Sequence, residues 1–252
     1  MKIFQSLLFA LTTLSLACGS GSDNACERGG CSAAASGGAG GSGSGGGPPL
    51  ESPCTLVTKA DGSAPLIDDF EDGDDWVGLN EGRTGFWFVY DDGTGVTAPS
   101  PDLLPLPTAD GSRPGSSYAF EFTGSGHKDY GGGVDFTFLL DLDACYDARG
   151  YAGLSFWAKG TVTILVEITT FETFPTDDGG GCSDYQDCAP HTALIELGPD
   201  WAPYTVNWSD LYQPFGREFP FDYHSLKYVG FRPVAATSWD FWLDDIAFVP
   251  KQ

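Results

Sequence analysis

Acidic residues crowd two places in the chain, Asp68, Asp69, Glu71 and Asp72 in one and Asp244 and Asp245 in the other. Carboxylates in such numbers suit calcium, which takes about six to eight hard oxygen ligands. Their spacing lacks the alternating aspartates and closing glutamate of a helix-loop-helix calcium loop, so a site must be assembled by the fold. On that condition Asp69, Glu71, Asp244 and Asp245 are the expected ligands of a structural calcium. The alternative is acids solvated at strand ends.

A second group of residues suits sugar recognition. Pyranose rings present C–H faces that stack on aromatic planes, while acids, arginines and amides hold the hydroxyls. Trp87, Tyr90, Trp157 and Tyr185 are the expected exposed platforms, and Arg83, Asp92, His191 and Arg232 their polar partners. For any single aromatic the competing fate is burial in a core.

Catalytic patterns are thin. No serine sits in a Gly-x-Ser-x-Gly elbow, and His127, His191 and His224 show no zinc-type spacing. Glu167 and Glu172, or Glu121 with a remote acid, form a glycosidase-type carboxylate pair only if folding brings them about 5–10 Å apart. The expectation is therefore a non-enzymatic chain, with a glycoside-active enzyme as the third-ranked reading.

The elements that must position these residues are short. Segments rich in aromatic and β-branched residues recur between glycine, proline and aspartate, which marks strands and turns rather than helices. Strands are expected over 66–70, 85–90, 118–123, 133–140, 153–159, 162–169, 192–197, 204–208, 228–233 and 241–249, with one helical turn over 209–212. Alternation in the last strand puts Trp242, Asp244, Ile246 and Phe248 on one face. Ten short strands imply an all-β fold, a jelly-roll β-sandwich of two antiparallel sheets over 54–252.

Upstream, Lys2 and an apolar run ending at Ala17-Cys18 have a signal peptide's layout over 1–17. Leu14-Ser15-Leu16-Ala17-Cys18 resembles the bacterial lipobox, making Cys18 the expected lipidation site. An ordinary secretory signal is the alternative. Residues 18–50 are glycine, serine and alanine with little to bury, and read as a disordered tether with a typical reach of about 30 Å. Seven cysteines are odd in number, and giving Cys18 to the lipid leaves six. Of fifteen formal connectivities we expect Cys26–Cys31, Cys182–Cys188 and the long-range Cys54–Cys145, all of which need an oxidising compartment. Net charge is −23, which repels a phosphate backbone and excludes nucleic acid as a partner. Membrane contact is expected through the N-terminal lipid alone, at the cell envelope and on the outer membrane, facing the periplasm or the exterior.

Three segments, Leu66-Ile67-Asp68-Asp69-Phe70-Glu71-Asp72, Tyr151-Ala152-Gly153-Leu154-Ser155-Phe156-Trp157-Ala158-Lys159-Gly160 and Phe241-Trp242-Leu243-Asp244-Asp245-Ile246-Ala247-Phe248, occur in the order seen in one family. They resemble the family 11 type of carbohydrate-binding module and its galactose-binding-domain-like relatives. The resemblance implies a β jelly roll whose opening and closing strands are neighbours, a structural calcium where the chain ends meet, and a polysaccharide partner, β-glucan among the candidates. Relatives of this scaffold also include proteins without a sugar ligand, so a structural or adhesive surface lipoprotein is the second reading.

Overall fold

The computed structural model of the chain describes Cys54 and residues 56–183, 188–234 and 237–252. The expected signal peptide and tether, Cys18, the Cys26–Cys31 pair and Tyr185 lie outside the described residues. In chain order the strands are β1 (Leu56–Lys59), β2 (Leu66–Asp68), β3 (Trp87–Asp91), β4 (Val96–Ala98), β5 (Phe120–Ser125), β6 (Gly132–Thr137), β7 (Ala144–Asp147), β8 (Tyr151–Gly160), β9 (Thr163–Thr170), β10 (His191–Glu196), β11 (Ala202–Asn207), β12 (Leu226–Pro233) and β13 (Ser238–Pro250). Short 3-10 turns join them, and among the described residues there is no α-helix. The expected turn over 209–212 is such a 3-10 turn, Trp208–Asp210.

The strands form two sheets. In the seven-stranded sheet β10, β9, β12, β6 and β3 lie side by side, and β7 with β1 continues past β6 along the edge of β12. In the six-stranded sheet the order is β11, β8, β13, β5 and β4, with β2 against the far part of β13. All pairings are antiparallel except β1 with β7. This is a jelly-roll sandwich, and its opening strand β2 does meet its closing strand β13, with Asp68 opposite Ile246.

Alternation explains which side of each strand is buried. Along β9, Ile164, Val166 and Ile168 are buried while Leu165, Glu167 and Thr169 are half-exposed. Facing strands contribute Phe120, Phe122, Phe136, Phe156, Phe231 and Phe241, all almost fully buried between the sheets. Burying one such ring contributes roughly 1.5–3 kcal/mol, so the aromatic content that suggested sugar platforms belongs mostly to the core.

The phase of β13 departs from the expected alternation. Leu243 and Asp244 are both buried in succession, and Asp245 has a positive φ of 47°. The register against β8 shifts between Asp244 and Ala247. This bulge turns Ile246 and Phe248 inward, whereas Trp242 on the near side faces outward, so these three do not share a face. Two disulfides staple the fold. Cys54–Cys145 ties the start of β1 to β7 with its Cα atoms 5.8 Å apart, and Cys182–Cys188 joins residues six positions apart with Cα atoms 5.6 Å apart.

Candidate functional site

The outer face of the seven-stranded sheet collects the groups that sugar recognition needs. On β3 the inward residues are Trp87 and Val89, so Phe88 and Tyr90 face outward. Phe88 lies opposite Asp135 of β6, Asp135 opposite Gly230 of β12, and Gly230 opposite Glu167 of β9. One cross-strand row therefore reads aromatic, acid, glycine, acid. Gly230 has a close-approach reason to be glycine, because a Cβ there would stand 2.5 Å from Asp135 Oδ1. Gly133 has the same reason, since its Cβ would stand 2.5 Å from the Tyr90 hydroxyl. The two glycines give the sheet a bare floor across which the Tyr90 ring and the Asp135 carboxyl lie.

Around that floor the aromatics form two groups. Phe88 meets Tyr228 edge-on at 5.7 Å between ring centroids, and Tyr228 meets Phe174 at 5.0 Å. Phe86 stands 6.0 Å from Phe88, the exposed Trp76 stands 6.2 Å from Phe86, and Tyr90 stands 6.4 Å from the exposed Tyr130.

Electrostatics on this face are uneven. Arg232 clamps Glu167 through Nε, at 3.3 and 3.2 Å from its two oxygens, and through a terminal nitrogen at 2.8 Å. Asp135 has no such partner, and its Oδ1 is buried without a hydrogen bond. Burial, then the nearby charge of Glu167, pushes its carboxyl well above the usual carboxylate range, with Arg232 pulling the other way. Burial and the charges of Asp135 and Glu167 likewise raise the Tyr90 phenol.

Of the residues expected to bind a ligand, this face holds Tyr90 and Arg232. The other described candidates sit elsewhere. Trp87 is in the core, 1% exposed, and its Nε1 donates to Asp68 Oδ2 at 2.6 Å. It could not share a face with Tyr90, three positions along one strand. Arg83 is also 1% exposed and is spent on the carbonyls of Gly78, Ala64 and Leu66, the Glu81 carboxylate and the Tyr146 hydroxyl. Asp92 organises a loop, accepting from the backbone of Thr94, Asp129 and Gly131 and pairing with His127 Nδ1 at 2.8 Å. Burial opposes its charge, but the bonds from His127, Thr94 and Gly131 outweigh that and hold its carboxyl below the usual range. His191 is buried with Nε2 2.9 Å from the Phe219 carbonyl, and burial lowers its pKa.

Trp157 lies on the outer face of the other sheet, half-buried, with the Arg113 guanidinium 5.1 Å from its ring centroid. There the segment carrying Gly111 and Arg113 crosses a bed of indoles. Lys159 sits over Trp242 and Trp201, at 4.4 and 5.1 Å, and donates to the Gly111 carbonyl, as does Trp201 Nε1.

The same segment settles the fate of the acids expected to hold calcium. Arg113 contacts Asp244 at 3.0 Å and also pairs with Asp245. Glu71 accepts from the Ser116 hydroxyl and from the backbone of Ser117 and Tyr118, which lowers its pKa to about 2. Asp69 and Glu71 are near enough for their charges to raise Asp245 after burial has done so. A guanidinium thus already neutralises Asp244 and Asp245, and among the described residues no three acids, histidines or cysteines are gathered as metal ligands. The four acids do not fit a calcium site.

Phe88, Asp135 and Tyr228 are the members of the candidate face that sequence reasoning missed, and Glu167 enters it only as a conditional carboxylate pair with Glu172. Period-two alternation on β3, taken strictly, would have found Phe88 beside Tyr90. Nothing local could have paired Asp135 with Glu167, because β6 and β9 meet only through β12.

No family model matches the chain. It is 28% identical over 195 residues to endoglucanase 3 of Fibrobacter succinogenes, a match covering 73% of this chain and 26% of that protein. The chain thus spans about a quarter of the length of the curated relative it matches. Among solved structures it is similar to the family 11 carbohydrate-binding module of a cellulosomal cellulase of Clostridium thermocellum, with 16% identity, a TM-score of 0.49, and coverage of 75% of this chain and 95% of that one. A family 30 module from the same organism gives 15% identity and a TM-score of 0.45, covering 66% and 92% of the two chains. A β-1,2-glucanase from Parabacteroides distasonis gives 10% and 0.42, covering 74% of this chain and 25% of that one.

Proposed function

We propose that the chain binds a polysaccharide, without cleaving it, on the outer face of its seven-stranded sheet. The observation that carries this reading is the cross-strand row Phe88, Asp135, Gly230 and Glu167, bordered by Tyr90, Tyr228 and Arg232. A packed sheet holds these groups without help from a loop, so the face is pre-organised for a ligand. Each stacked ring contributes about 0.5–1.5 kcal/mol. Several rings plus the Arg232–Glu167 clamp therefore support weak binding at one site and stronger binding by an array of copies.

Cleavage is not part of the reading. Asp135 and Glu167 flank Gly230 as a carboxylate pair, but a glycoside hydrolase needs the ionised member of its pair free to activate water or attack the sugar, and here the ionised member is Glu167. Both oxygens of Glu167 are engaged by Arg232. The likeness to part of a protein named an endoglucanase supports a glucan as the ligand. A lipid on Cys18 would hold the domain at the cell envelope, which suits capture of an external polymer.

The test is affinity electrophoresis of the full-length chain through gels containing neutral glucans, with a glycan array to widen the search. Retardation by a glucan without release of reducing ends is the expected result. Free migration through every polysaccharide would overturn the reading in favour of a structural surface lipoprotein.

A further inference from the structure

Asp135 is the member of the candidate face whose chemistry is least satisfied. Its Oδ1 is buried and has no hydrogen-bond partner, while Arg232 and Glu167 nearby are engaged with each other. The cation that could balance it is committed, because Arg232 is clamped on Glu167. Across Gly230 stands Glu167 itself, a like charge. The titratable and charged groups facing Asp135 come from every packed element: Tyr90 from β3, Glu167 from β9, and Arg232 and Tyr228 from β12. Tyr130 stands beyond Tyr90, and Asp178, in the 3-10 turn Thr176–Asp178, acts on Tyr228. Among these, Arg232 is the one permanent positive charge.

An ionised carboxyl in that setting has one oxygen buried without a donor and stands beside another charge of the same sign. A neutral carboxyl has no such penalty, and it can do something a carboxylate cannot, which is to donate a proton in a hydrogen bond. We infer that Asp135 is the residue that reads the ligand, donating its carboxyl proton to a hydroxyl or ring oxygen of an uncharged sugar, so that the face releases its ligand when that proton is lost. This rests on the carbohydrate-binding reading and adds to it a specificity-determining residue and a direction of pH dependence. The burial-driven rise of the Asp135 pKa agrees with the geometry. The sign follows: with the titration displaced upward, the donor is present on the acid side of that displaced titration and is lost as pH rises through it.

The experiment is binding of one neutral glucan from about pH 5 to about pH 9, below the range where phenols near about pH 10 ionise. It uses wild-type chain and Asp135→Asn, with the Asp135 carboxyl carbon followed by NMR over the same range. The amide keeps a donor and cannot ionise. Wild type is expected to lose at least tenfold in affinity as pH rises across the range, Asp135→Asn to bind with a flat profile, and the carboxyl carbon to titrate above the ordinary carboxylate range. A flat wild-type profile, or a slope that survives in Asp135→Asn, overturns the inference while leaving carbohydrate binding intact. A carboxyl carbon that titrates in the ordinary carboxylate range overturns it whether or not a glycan is found. If folded protein binds no glycan at any pH, the carbohydrate-binding reading fails and takes this one with it.

Discussion

At the scale of single residues, the exchange between Trp87 and Tyr90 shows what a sequence can and cannot assign. Both are aromatic and three apart in a strand, so one must face the core and the other solvent. Trp87 is the one buried, packed 4.7 Å from Phe136 and bonded to Asp68. Trp87→Ala should therefore cost about 3–5 kcal/mol in urea unfolding, whereas Tyr90→Ala should cost far less while weakening glycan binding. Equal destabilisation by the two changes would contradict the face assignment. Asp68 and Asp244 set a second expectation. Burial raises Asp68 to about 7 and Asp244 to about 6. Groups whose folded pKa is raised bind protons in the folded state that the unfolded chain has released, so stability falls as pH rises from about 4 to about 7. Glu71, lowered to about 2, acts oppositely and only in stronger acid. The melting temperature should accordingly be several degrees higher near pH 5 than near pH 8. A melting temperature that climbs through that interval would show that these two carboxyls are not held as described.

At the scale of elements, the strands were legible because alternation and turn residues are local. Each of the ten expected strands has a counterpart, with β1, β4 and β7 added as short pieces that carry too few residues to show a period. The bulge in β13 was not legible, since Asp244 and Asp245 break the alternation by backbone geometry rather than by residue type. That bulge delivers both carboxylates to Arg113, and the segment around Arg113 in turn roofs the indoles of Trp157, Trp201 and Trp242. A loop arginine thus engages two of the acids expected to hold calcium. Arg113→Met should lower the melting temperature by more than the about 1 kcal/mol of an exposed ion pair would, because Asp244 is fully buried. Calcium or a chelator should leave the wild-type melting curve where it is. A calcium-dependent rise would mean that the acids can release Arg113 for a metal.

At the scale of the whole molecule, a sandwich has two outer faces, and this one uses them differently. The face of the six-stranded sheet is roofed by the segment bearing Gly111 and Arg113, and its tryptophans are engaged by Lys159 and Arg113. The face of the seven-stranded sheet carries Tyr90, Tyr228, Arg232 and the Asp135–Gly230–Glu167 row. Composition made the sandwich readable, and nothing in composition could say which face was left for a ligand. Choosing between the faces depends on pairing among β3, β6, β12 and β9, which are scattered along the chain. The measurement that tests this account most directly is glucan affinity electrophoresis of Tyr90→Ala beside Trp157→Ala, each first confirmed to be folded by near-ultraviolet circular dichroism. Tyr90→Ala should migrate freely through a glucan gel that retards the wild type, and Trp157→Ala should be retarded like the wild type. Retention of Tyr90→Ala together with release of Trp157→Ala would place the ligand on the opposite sheet and contradict the account.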